Sequence, residues 1–116
     1  MGSGHPFSRT WVKWVDFIPH QAVFVKRATF LEHGFFDETL GSGMDPDLWN
    51  RLAGRTRWHF LDLAVCKRRV HGAARSTGVH HREANARDFE AVKRRYLNPV
   101  EFFIAKMAYR LHHFNR

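Results

Sequence analysis

Two carboxylates flank a proline in the stretch Gly41-Ser42-Gly43-Met44-Asp45-Pro46-Asp47-Leu48-Trp49-Asn50-Arg51-Leu52. Loose glycines precede it and an apolar, helix-forming run follows. A carboxylate held at the rim of a pocket can take a proton from a substrate hydroxyl. The same residue type also has a local use, because an Asp immediately before a helix accepts its first N–H groups, worth about 1 kcal/mol. The two uses compete: a carboxylate that accepts backbone N–H bonds is held ionised and makes a poorer base. Asp45 is the candidate for either role, with Asp47 as the alternative base. His71 follows Lys67-Arg68-Arg69, an edge suited to phosphate. The adjacent pairs His80-His81 and His112-His113 do not share a helix or strand face, and no Cys/His spacing resembles a zinc site.

The elements that must position these groups are readable in outline. Residues 11–17 fit a strand or one helical turn equally well. Residues 21–25 carry a continuous apolar run of β-formers after Pro19 and before Lys26-Arg27, which predicts a strand buried on both faces. A short helical turn over 28–33 closes at Gly34, and an aromatic loop follows, with Asp37 and Glu38 in a solvated turn. Asp45 is placed as the N-cap of the next helix and Pro46 as its first residue. Leu48, Trp49 and Leu52 form its buried stripe, and Gly54 stops it. Residues 58–65 and 66–70 predict strands, or one bent strand. A helix over 82–97 turns Phe89, Val92 and Tyr96 to one side. Asn98 then caps a second helix, with Glu101 at the capping-box position.

The chain of 116 residues is one domain or part of one, 44% hydrophobic and 15% aromatic, a composition that buries surface rather than staying disordered. One cysteine, Cys66, excludes an internal disulfide, and no secretory signal or membrane span is visible, so a cytoplasmic setting is expected. The net charge is +8. Residues 1–65 are neutral, and the whole excess falls after them, giving a basic half that attracts phosphates.

Several segments, in order, resemble the second half of the family 2 glycosyltransferases, the inverting enzymes of the GT-A fold. These are His20-Gln21, Lys26-Arg27, Gly34-Phe35-Phe36-Asp37-Glu38, the acidic stretch from Asp45 to Leu52, Arg69-Val70-His71, and Ala73-Ala74-Arg75-Ser76. The resemblance covers about residues 17 to 77 and departs from the commonest pattern at Met44, where the family has an acid. It implies an α/β fold: a partial GT-A-like, Rossmann-like domain of a few mixed strands packed with helices, ending in two C-terminal helices. Residues 1–80 would be the acceptor-side half of that domain, and 81–116 a helical extension.

The resemblance makes Asp45 the base that deprotonates an acceptor hydroxyl. It puts His20, Gln21 and Trp49 at the acceptor, and His71 and Arg69 at the diphosphate or metal. The residues read alone allow blander roles: polar groups bonding to backbone for His20 and Gln21, core for Trp49, a strand-end group for His71. Expected partners are a nucleotide-sugar donor and a glycan or lipid-linked acceptor. A divalent metal, Mg or Mn, is expected in a full-length enzyme, since the family's nucleotide-binding half and its metal-holding Asp-x-Asp have no counterpart here. The expectation is a fragment without independent turnover.

Two further classes compete. The charge asymmetry suits a nucleic-acid module, but no helix-turn-helix, RNP strand or Gly-x-x-Gly clamp accompanies it, so no nucleic acid is expected. The last helix, from residue 99, has Val100, Phe103, Ile104, Met107, Leu111 and Phe114 on one stripe and Lys106, Arg110 and His113 on another. That stripe closes the core or lies on an anionic membrane face.

Overall fold

The computed structural model of the chain describes residues 6–14, 17–69, 71 and 81–114, with 109 and 112–114 described by their backbone alone. Five α-helices follow in order: α1 (Arg9–Trp14), α2 (Arg27–His33), α3 (Met44–Ala53), α4 (Arg82–Tyr96) and α5 (Pro99–Phe114). Two 3-10 turns, His20–Ala22 and Glu38–Gly43, precede α2 and α3.

The expected α/β fold is not found, because the described residues contain no strand and hence no sheet. Residues 20–22 wind into a 3-10 turn that takes Val23 N–H on the His20 carbonyl at 3.3 Å, and 23–26 continue outside any strand. Val23 and Val25 pack against the core while Phe24 between them is 81% exposed, so the run is buried on one face and not on both. Residues 57–69 likewise carry no ladder; Leu63 N–H instead closes a tight turn on the Leu61 carbonyl at 2.8 Å. β-Formers fit a pleated surface only where a neighbour supplies one, and no backbone hydrogen bond joins these two stretches among the described residues. Over the described residues 59–69 the predicted strands are therefore exposed, irregular chain, with Phe60, Leu61, Leu63 and Val65 facing solvent.

The core sits where α1 crosses α3. Val12 meets Leu48, Trp49, Leu52 and Ala53, and Phe7, Phe17, Ile18, Phe30 and Trp58 close around them. Complete burial of Leu48 and Leu52 contributes roughly 2–3 kcal/mol each. Trp58 stacks on Phe7 at 4.1 Å and meets Trp49 edge-on at 5.8 Å, so the irregular 57–69 run is anchored at its first aromatic. Ser8 starts α1, its Oγ accepting from Trp11 N–H at 3.3 Å.

Helix α4 packs chiefly on the Glu38–Gly43 turn, and also on α3 and α1. The approach is close at Gly43, where a Cβ would lie 2.9 Å from both the Asp88 carbonyl oxygen and Val92 Cγ2. Helix α5 starts on a reciprocal capping box: Glu101 N–H donates to Asn98 Oδ1 at 2.8 Å, and Asn98 N–H to Glu101 Oε2 at 2.9 Å. No helix among the described residues is long and apolar enough to cross a membrane.

Candidate active site

Asp45 does not cap α3. The helix begins two residues earlier than expected, at Met44, with Gly43 as its N-cap and no side-chain cap bond. The reason is upstream: the Glu38–Gly43 turn runs directly into α3, so its own ends take the capping. Asp37 accepts from Thr39 N–H at 3.1 Å, and Asp88, from α4, accepts Ser42 N–H and Oγ–H, both at 2.9 Å. Pro46 falls within the first helical turn, where its missing N–H costs nothing.

Released from that duty, the Asp45 side chain is 24% exposed, and its Oδ2 lies 3.4 Å from His20 Nδ1. His20 opens the short 3-10 turn after Pro19, closed by Ala22 N–H donating to the Pro19 carbonyl at 2.8 Å, and its imidazole is half exposed. A carboxylate beside an imidazole, both reachable from solvent, can accept a proton and be held in place while it does so. Gln21 is exposed on the same turn.

Asp47 is placed differently. It is 2% exposed and forms the centre of a charged network. Its Oδ1 accepts from the Tyr96 hydroxyl at 2.9 Å and from Arg95 at 3.1 Å, and its Oδ2 lies 3.4 Å from Arg51. Arg95 also donates to Asp37 at 2.9 Å, tying the loop, α3 and α4 together. Bonds from Thr39, then from Arg95, lower the Asp37 pKa below the usual carboxylate range. Burial, and then the Asp47 carboxylate, push the Tyr96 hydroxyl up to about 12. Arg51 spends its other donors on the carbonyls of His33 (2.9 Å) and Phe35 (2.6 Å), which fixes the loop after α2. Asp47 is an anchor, enclosed by two guanidiniums and a phenol, with no path for a substrate hydroxyl.

The other sequence candidates disperse. Trp49 is 2% exposed in the core, the blander of the two roles the sequence allows it. Arg69 and His71 are exposed at the end of the irregular run, in place of the predicted strand end. Glu38 is solvent-exposed beside the half-buried Asp37. Tyr96 was legible as part of the side that α4 turns inward with Phe89 and Val92, whereas Arg95 carries no sequence signal beyond its position in the last turn of α4. Asp88 has none. Arg51, four residues after Asp47, was foreseeable as a helical ion pair.

Two clefts, of about 380 and 390 Å³, lie elsewhere. The first is lined by Arg9, Lys13, Trp14, Asn50, Tyr96 and Glu101, the second by Phe7, Arg9 and residues 56–59, and neither borders His20 or Asp45. Among the described residues no three His, Cys, Asp or Glu side chains converge as metal ligands. No family model, curated protein or solved structure matches the chain.

Proposed function

We propose that this chain supplies the acceptor-side part of an inverting glycosyltransferase, with Asp45 as the base and His20 as the group that orients it. One observation carries this reading. Residues 20 and 45 are distant in sequence, both belong to the motifs that resemble the family, and their side chains meet at 3.4 Å on an accessible surface. On this reading the acceptor hydroxyl gives its proton to Asp45 as its oxygen bonds the anomeric carbon. The bond to the leaving nucleoside diphosphate breaks on the opposite side, with inversion. The donor's nucleotide and any metal are held by residues outside this chain, so the chain alone turns over no sugar nucleotide. Its setting is cytoplasmic, where nucleotide sugars are the donors.

The test is Asp45→Asn in the protein joined to whatever its gene encodes upstream. Loss of a general base lowers transfer by about 10²–10⁴-fold, with donor binding and the far-ultraviolet circular dichroism spectrum unchanged. Undiminished transfer would remove Asp45 from the chemistry. An upstream sequence without a βαβ unit ending in Asp-x-Asp would remove the glycosyltransferase reading itself.

A further inference from the structure

Helix α5 turns its apolar stripe away from the rest of the molecule. Val100, Phe103, Ile104, Met107 and Leu111 are between 43% and 68% exposed, and at helical spacing they fall within one arc of about 100°. The side that meets α4 is a different one. There Phe102 lies beneath the Arg94 guanidinium at 4.5 Å, and Lys106 reaches Glu90 at 3.8 Å. The stripe is therefore surplus to the contacts that hold α5 in place.

Charge decides what covers it. Arg110 is exposed and borders the stripe beside Phe103, with Lys106 one step further round the helix. The only acid of α5, Glu101, is committed to the Asn98 N–H. Lys106 already has Glu90 at 3.8 Å; a second copy laid against this face would bring Arg110 toward its own counterpart with no free α5 carboxylate between them, whereas an anionic surface neutralises it. Sixteen residues span about 24 Å, short of the roughly 30 Å hydrocarbon core, so the helix lies in the interface and does not cross it.

We propose that α5 docks flat on an anionic lipid bilayer, with Val100, Phe103, Ile104, Met107 and Leu111 in the acyl boundary and Arg110 among the headgroups. This does not depend on the glycosyltransferase reading, and its test needs no activity. The chain is co-sedimented with vesicles of pure phosphatidylcholine and with vesicles containing about one-third phosphatidylglycerol. Binding to the anionic vesicles is expected to be at least about tenfold tighter, and to weaken with salt.

Arg110→Gln is expected to weaken anionic binding by about fivefold, the equivalent of one headgroup-level charge. The pair Phe103→Ser with Met107→Ser is expected to abolish it with helicity retained. Because both positions are exposed, the fold does not depend on them. Equal partitioning into both kinds of vesicle, no vesicle binding, or binding that survives the double substitution would overturn the proposal. So would a stable dimer that the same double substitution dissociates.

Discussion

Asp47→Ala removes the acceptor at the centre of the buried network, and the structure sets the size of the effect. The Tyr96 hydroxyl loses a 2.9 Å bond to a carboxylate but retains the Asp47 carbonyl oxygen at 3.2 Å. Arg95 loses a 3.1 Å partner but keeps Asp37, and its side chain is 44% exposed, so water screens much of that loss. Arg51 loses only a 3.4 Å contact and keeps two carbonyls.

Charge-assisted bonds of this kind are worth about 1.5–3 kcal/mol when buried. The Tyr96 bond counts nearly in full and the two arginine contacts only in part, which gives a loss of about 3 kcal/mol. That is a large share of the roughly 5–15 kcal/mol that holds a typical domain. With a urea slope of about 1.5–2 kcal/mol per molar, the midpoint falls by about 1.5–2 M. Circular dichroism at 222 nm reads it directly. A cycle with Tyr96→Phe should return a coupling of about 1–2 kcal/mol. A loss under about 1 kcal/mol, or additive single effects, would mean that the network behaves as a surface ion pair and does not join α3 to α4.

Two further perturbations probe the same region. Gly34 holds φ at 88°, and an added Cβ would lie 2.8 Å from an Arg51 guanidinium nitrogen, so Gly34→Ala should cost about 2–3 kcal/mol in thermal or urea unfolding and release the loop after α2. For Tyr96, the folded protein keeps a proton to about pH 12 that the unfolded chain releases near 10, so stability is full below about pH 10 and falls as pH climbs between the two. Full separation is worth about 2.7 kcal/mol, and partial solvation of the ring reduces the expected fall to about 1 kcal/mol. The difference in urea midpoint between the wild type and Tyr96→Phe should follow that course, the lysines cancelling.

Local signals were legible and distant ones were not. The capping box at Asn98 and Glu101, the stop at Gly54 and the buried Leu48-Trp49-Leu52 stripe are each decided within a few residues, and each forms as the sequence implies. The run at 21–25 failed as a strand because strand formation depends on a neighbour, and its period-two burial at Val23 and Val25 was masked by the apolar Phe24. The cap of α3 was misassigned for the same kind of reason. The acceptor for Ser42 N–H comes from Asp88, 46 residues further on, and nothing near Asp45 announces it. The pairing of Asp45 with His20 likewise depends on where two short turns are set by the core, which spacing alone does not encode.

The contact of Asp88 and Val92 with Ser42 and Gly43 also fixes an order of events during synthesis. The segment leading into α3 leaves the ribosome before the residues that satisfy its backbone exist. At about 5–20 residues per second the delay is roughly 2–9 s, during which the Ser42 N–H and hydroxyl lack their Asp88 acceptor. The nascent chain is therefore exposed to proteases and chaperones at the Glu38–Gly43 turn until the C-terminal third arrives. Premature termination before α4 should leave a product that is degraded and does not accumulate.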